Sequence, residues 1–194
     1  MSMEIECKIM DMTIDEFINL GTKAGLEPRP RPVSYITDEY WRIPSRENLI
    51  RFRRNTSVHG YNTHMDLTIK GSEENESNCT SERSETILSL DSEKDPSMVY
   101  NFLSELGGMH CKTVRKERRI LATNDKSLRI HHDIVFVNYL IKVEWVEIES
   151  DTRDGLHSII FKLLGSGKEA QDRVTNITTL DIMNRSGVGN NSDS

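Results

Sequence analysis

Apolar and polar residues alternate with a period of two along most of this chain, while a period near 3.6 is confined to three short stretches. The alternation predicts strands at about 3–10, 33–43, 49–56, 62–70, 82–90, 110–122, 127–137 and 140–149. Thr13 and Glu16 stand at capping-box spacing and open a first helix that ends near Gly25. Asp95-Pro96 opens a second, because proline suits the first helical position. Its expected apolar face is Met98, Val99, Phe102, Leu103 and Leu106, ahead of Gly107-Gly108. A third helix covers about 154–164 and presents Leu156, Ile159, Ile160, Leu163 and Leu164. The polar stretch 71–81 breaks the alternation and predicts a long exposed hairpin loop. Eight strands with few helices indicate an α+β fold with a large antiparallel sheet, and eight are enough to close a barrel.

The residues that alternate with the apolar ones are almost all charged. Glu4, Glu6 and Lys8 flank Ile5 and Cys7; Arg51 and Arg53 flank Phe52; Glu147 and Glu149 flank Ile148. Arg83 and Glu85 stand two apart, as do Lys116 and Arg118, while Lys70 ends the Asp66–Lys70 strand and Asp133 follows Arg129 on another. A solvated sheet face gains nothing from Glu-x-Glu and Arg-x-Arg pairs, because neighbouring like charges repel. Turned into a closed barrel, the acidic pairs at the two ends of the chain can meet and hold a divalent cation. Carboxylates are the hard oxygen ligands that Mg²⁺ or Mn²⁺ prefers. The Arg and Lys pairs would then neutralise a polyanion, with arginine offering forked donors to phosphate oxygens. Ile5, Phe52 and Ile148 would face outward beneath the helices, inverting the usual barrel.

Composition narrows the setting. The 194 residues suit one domain, and a net charge of −6 argues against a general nucleic-acid-binding surface. No apolar run approaches a membrane span, and the acidic amino terminus lacks the charge pattern of a signal peptide, so a cytoplasmic protein is expected. Cys7, Cys79 and Cys111 are odd in number and widely spaced, with no CxxC pair.

Taken in order, these motifs resemble the CYTH, or triphosphate tunnel metalloenzyme, superfamily. Glu4-Ile-Glu6-Cys-Lys8 matches its ExExK motif, Ile50–Arg53 its LRxR strand and Leu67–Gly71 its LTxKG strand. Arg83-Ser-Glu85 resembles the RxE element, Lys116-Glu-Arg118 the KxR strand, Asp133-Ile-Val135 the aspartate strand, and Val146–Glu149 the closing EIE strand. Seven motifs in order across residues 4–149 are far more specific than ExExK alone.

The resemblance implies an eight-stranded antiparallel tunnel, with helices packed outside, that binds triphosphates with Mg²⁺ or Mn²⁺. Residues 1–185 would form the tunnel domain and 186–194 a disordered tail. Glu4, Glu6, Glu147 and Glu149 would be metal ligands, assisted by Glu85 and Asp133. Lys8, Arg51, Arg53, Lys70, Lys116 and Arg118 would contact phosphate oxygens, with Arg83 and Arg129 nearer the mouth. Lys8 and Arg53 would serve the reaction directly, and Glu85 or Glu149 would accept the proton of the attacking water.

Hydrolysis of inorganic tripolyphosphate or a small organic triphosphate is the leading expectation, since one compact domain resembles the stand-alone members. RNA 5′-triphosphatase, class IV adenylyl cyclase and a non-catalytic triphosphate- or nucleotide-binding module are the alternatives. The expected partners are accordingly a triphosphate-containing small molecule or an RNA 5′ end, with no membrane, in a monomer or homodimer. His131-His132 is read as a surface or tunnel-wall feature, because no second His or Cys cluster stands at ligand spacing. Trp41 and Trp145 are read as packing residues of the outer wall, with base stacking at the mouth open to Trp41. The Arg115–Arg119 run fits a strand with Lys116 and Arg118 turned inward.

Overall fold

The computed structural model describes residues 2–44, 49–59, 62–77, 80–91, 95–137, 141–168 and 172–175; within these, the side chains of 2–4, 62–63, 70–77, 80–84, 137 and 141 are not described. The described residues form ten strands and three helices. The strands are β1 (Ser2–Met10), β2 (Arg29–Pro30), β3 (Ser34–Arg42), β4 (Leu49–Thr56), β5 (Asn62–Ser77), β6 (Thr80–Leu90), β7 (Met109–Ala122), β8 (Leu128–Val137), β9 (Ile141–Ser150) and β10 (Val174–Thr175). Helix α1 (Ile14–Lys23) follows β1, α2 (Ser97–Glu105) follows β6 and α3 (Arg153–Leu164) follows β9. The eight expected strands are therefore present, and the sheet has ten rather than eight because the two-residue β2 and β10 add to β7 and β1.

All pairings are antiparallel, in the order β1-β6-β5-β4-β3-β7-β8-β9. Strand β1 has neighbours on both sides. Its first half pairs with β6 from Ser2↔Glu85 to Glu6↔Ser81, and its second half with β9 from Ile5↔Ser150 to Met10↔Trp145. The stretch expected as a loop at 71–81 is instead largely paired, with Glu73↔Arg83, Glu74↔Glu82 and Ser77↔Thr80 in register. Ladder hydrogen bonds need only backbone groups, so a polar sequence can extend a hairpin that apolar alternation does not announce. The tail expected to be disordered, 186–194, lies outside the described residues.

Side chains alternate across each strand, and the helices decide which face is covered. Thr13 caps α1, its hydroxyl accepting from the Glu16 N–H at 3.2 Å. Met12, ahead of α1, and Phe17 within it bury against the sheet, as do Leu156, Ile159 and Leu163 of α3. Beneath them lie Ile5, Cys7 and Ile9 of β1, Ile130 of β8, and Val146 and Ile148 of β9. Helix α2 covers another part of the same face through Leu103, Val99 and Tyr100, against Trp41, Ile50 and Leu67. Its contact line is narrower than its apolar residues suggest. Met98, Phe102 and Leu106, expected on the buried face, are exposed, because Phe102 turns away when Val99 and Leu103 meet the sheet.

Packing of this outer face supplies the fold's largest apolar core, and its loss is measurable. Leu156→Ala should destabilise the protein by about 2–5 kcal/mol. The exposed Phe161→Ala should stay within about 0.5 kcal/mol, with urea unfolding midpoints distinguishing the two.

Candidate functional site

Covering the apolar residues with helices turns the charged ones to the opposite, inner face of the sheet. Cross-strand register then places them beside one another. Lys8 stands opposite Glu147, Glu6 opposite Glu149, Arg118 opposite Asp133, and Asp38 opposite Arg53.

These pairs join into one network across six strands. Lys8 Nζ lies 2.9 Å from Glu6 Oε1 and 3.4 Å from Glu147 Oε2. Glu147 Oε1 accepts from Arg118 Nη2 at 2.8 Å. Arg118 forks onto Asp133 through Nε and Nη2 at 2.6 and 2.7 Å. Lys116 Nζ lies 3.1 Å from Asp133 and 3.6 Å from Asp38. Asp38 completes the network with a bidentate grip on Arg53 at 2.6 and 2.8 Å. Beside it, Arg51 donates to the Thr68 hydroxyl at 3.0 Å, and that hydroxyl donates to Asp66 at 2.9 Å. Glu6, Lys8, Asp38, Arg51, Lys116, Arg118, Asp133 and Glu147 are all buried, so each ion depends on its partners for the solvation it has lost.

The titration behaviour follows. Burial would raise the Asp38 carboxyl, but Arg53 and Lys116 hold it well below the usual carboxylate range. Asp133 is likewise held down by Arg118 and Lys116 against its burial, and Glu147 by Arg118 and Lys8. Arg118 and Arg53 are held charged more firmly than usual despite their burial, chiefly by Asp133 and Asp38 respectively. Lys116 goes the other way. Its burial, with Arg118 and Arg53 close by, pushes the ammonium down in spite of Asp133 and Asp38. It is thus a cation whose charged state another anion would relieve.

A second cluster could hold a metal. His131, Glu147 and Glu149 each offer one ligand atom, and these atoms all lie within 4.8 Å of one another. His131 Nδ1 stands 3.5 Å from a carboxylate oxygen of both glutamates. Arg129, half exposed at the rim, donates to Glu149 at 2.8 Å and reaches Asp151 at 3.3 Å.

Of the residues expected from the sequence, Glu6, Lys8, Arg53, Lys116, Arg118, Asp133 and Glu147 share the ion network. Arg51 adjoins it, and Glu149 belongs to the His131 cluster. Glu85 is buried on β6, directly opposite Lys70 in register. The side chains of Glu4, Lys70 and Arg83 lie outside those described, although backbone register sets Glu4 opposite Arg83. Three members escaped sequence reasoning. Asp66 and Thr68 share the parity of Lys70 and were readable from it, whereas Asp38 is masked by adjacent Glu39, which faces α2 and binds Arg54 and Tyr100. One expectation is overturned: Trp145 is not on the outer wall. It shares the parity of Glu147 and packs on the inner side with Tyr40, Val114 and Val135. Trp41 does lie beneath α2, stacked on Tyr100 with centroids 6.1 Å apart.

Neither a protein-family profile nor a curated protein matches this chain. Solved structures do. A protein of Pyrococcus horikoshii is 22% identical with a TM-score of 0.65, matching 94% of this chain and 99% of its own. A conserved protein of Pyrococcus furiosus is 21% identical at 0.65, covering 92% and 98%. A candidate adenylate cyclase of Vibrio parahaemolyticus is 14% identical at 0.61, covering 94% and 98%. These likenesses show the fold. Among the described residues no helix is long and apolar enough to cross a membrane.

A carboxylate whose pKa is depressed on folding stabilises the protein fully above its unfolded value and loses that contribution as pH falls towards the folded one. Stability from Asp38 should therefore be complete at neutral pH and decline below about pH 4. In Asp38→Asn, urea midpoints should fall at neutral pH, by about 3–5 kcal/mol for breaking a buried pair, and the acid slope should flatten.

Proposed function

We propose that the eight long strands close into a tunnel whose inner face binds a triphosphate together with Mg²⁺ or Mn²⁺ and hydrolyses its terminal phosphoanhydride. The observation that carries this reading is the buried ion network running from Glu6 through Lys8, Glu147, Arg118, Asp133 and Lys116 to Asp38 and Arg53. An ordinary structural interior has no use for so many desolvated cations, whereas a polyanion site needs them preorganised. Two features add support. Arg51 Nε is buried without a hydrogen-bond partner, and burial, with Arg118 and Arg53 close by, lowers the Lys116 ammonium below its usual range.

Metal dependence has its own electrostatic argument. Among the described inner side chains the carboxylates Glu6, Asp38, Glu147 and Asp133 already occupy the cations Lys8, Arg53, Lys116 and Arg118. A triphosphate that displaces those carboxylates leaves them without their cations, and accompanying divalent charge would relieve them. The His131, Glu147 and Glu149 donors fit one such ion, with Glu6 opposite Glu149 as the neighbouring carboxylate. A divalent ion held there supplies charge neutralisation at phosphate oxygens and acidifies a bound water.

The chain's own residues do the rest. Lys8, Arg51, Arg53, Lys116 and Arg118 take the phosphate oxygens, exchanging intramolecular carboxylate partners for ligand ones. Lys70, Arg83 and Arg129 extend this grip towards the openings. Burial excludes bulk water, which strengthens each contact. Glu85 or Glu149 accepts the proton of the attacking water. Phosphoryl transfer demands chiefly this positioning and neutralisation.

The test is product release with Mg²⁺ or Mn²⁺ from tripolyphosphate, thiamine triphosphate, ATP and a 5′-triphosphate RNA. Phosphate should appear, EDTA should abolish it, and Glu6→Gln should lower the rate by about 10–100-fold. Pyrophosphate together with cyclic AMP from ATP would mark a cyclase instead, and binding without turnover a sensor. Independently of turnover, tripolyphosphate at about 100 times its Kd should raise unfolding stability by about 2.7 kcal/mol. It should also restore part of the loss in Asp38→Asn, because phosphate oxygens replace the missing carboxylate beside Arg53 and Lys116.

A further inference from the structure

Glu147 and Glu149 meet a nitrogen donor on the inner face. His131 of β8 stands directly opposite Glu147 of β9, while its other cross-strand neighbour, Ile120 of β7, offers no donor atom. Its imidazole Nδ1 lies 3.5 Å from Oε1 of Glu147 and 3.5 Å from Oε1 of Glu149. That nitrogen is buried and has no hydrogen-bond partner. Adjacent ligands of an octahedral ion, each about 2.1 Å from it, stand about 3 Å apart, so the spacing is close to that of ligands sharing one ion. Both glutamates are held from their other oxygens. Arg129 donates to Oε2 of Glu149 at 2.8 Å, and Lys8 lies 3.4 Å from Oε2 of Glu147. Arg118 donates to Oε1 of Glu147 at 2.8 Å, but a carboxylate oxygen carries two lone pairs and can serve an ion as well.

We infer that His131 selects the ion: the site takes a first-row transition ion, Mn²⁺ in the first instance, in preference to Mg²⁺. The inference rests on the metal-assisted reading proposed above and decides between the two ions that reading left open. Mg²⁺ is a hard cation that binds through oxygen, demands a near-ideal octahedron and keeps several of its waters. An imidazole in place of an oxygen ligand gives it little. Transition ions gain from nitrogen ligands, and their affinities rise along the series from Mn²⁺ to Cu²⁺. Mn²⁺ shares the carboxylate preference of Mg²⁺ and accepts imidazole too, which matches two glutamates and one histidine. Three donors gathered by strand register also hold such an ion before any phosphate arrives. A wall of carboxylates alone would take either ion, and Mg²⁺ would lean on phosphate oxygens and water to complete its shell.

The probe is Mn²⁺ alone, titrated into the full-length protein and followed by its EPR signal. The protein should bind it without tripolyphosphate, and Mg²⁺ should displace it only at about 100-fold excess. Pulsed EPR of the bound Mn²⁺ should show coupling to a directly bound nitrogen nucleus. His131→Asn keeps a donor of similar reach but makes it an amide oxygen. It should lose the nitrogen coupling and let Mg²⁺ compete about tenfold better. His64→Asn is the control, since His64 lies half exposed beside Asp66, and it should change neither reading. Bound Mn²⁺ without nitrogen coupling in the unaltered protein would overturn the inference and leave the metal-assisted reading standing. Equal competition by Mg²⁺ in the unaltered protein and in His131→Asn would overturn it too, as would failure of the free protein to bind Mn²⁺. A failure of tripolyphosphate to bind would sink the triphosphate reading and leave these metal measurements, and the ion preference they report, intact.

Discussion

The structure depends on how the eight ions of one network, seven of them buried, are solvated by one another. Each carboxylate and each cation of the inner network has given up water, a loss of several kcal/mol per ion that only close, well-oriented partners offset. The forked contacts of Arg118 on Asp133 and Arg53 on Asp38 have that quality, at 2.6–2.8 Å. Lys8 and Lys116 bridge them, each lying between carboxylates of different strands. Such a network is a poor way to gain stability, since apolar residues of the same volume would do as well or better. Its cost is therefore a statement about use, and it is the physical ground for reading the inner face as a binding site.

Everything outside the network serves to hold it in register. The odd residues of β1 and the even residues of β9 lock beneath α1 and α3. A one-residue slip of either strand would exchange Ile148 for Glu147 and send charges under the helices, so the apolar outer core fixes the pairing of the charged interior. The same alternation that makes the interior polar makes the exterior apolar, and three short amphipathic helices suffice to cover it. Beside the network, Tyr40, Val114, Val135 and Trp145 pack together on the inner face.

Much of this is legible in the order of residues along the chain. A period of two places every long strand within a few residues, and motifs such as Glu4-x-Glu6-x-Lys8 and Glu147-x-Glu149 announce charge where a core is expected. What pattern alone does not supply is which face neighbouring acids occupy. Asp38 and Glu39 are adjacent, one binding Arg53 and Lys116 within and the other Arg54 and Tyr100 without, and only strand pairing separates them. Trp145 reads as an outer packing residue because tryptophan is apolar, yet its parity with Glu147 turns it inward. The extension of β5 and β6 into residues 71–77 and 80–81 is invisible for the opposite reason, since ladder hydrogen bonds leave no side-chain signature. Phe102 shows that an apolar helical stripe can be wider than the contact it makes.

The most direct test is a crystal structure of the protein with tripolyphosphate and Mn²⁺. The phosphates should lie on the inner face, in contact with Lys8, Arg51, Arg53, Lys116 and Arg118, with Mn²⁺ on the side of His131, Glu147 and Glu149. An inner face that keeps its ion pairs unchanged, with tripolyphosphate bound on the outer surface or not at all, would contradict the triphosphate tunnel.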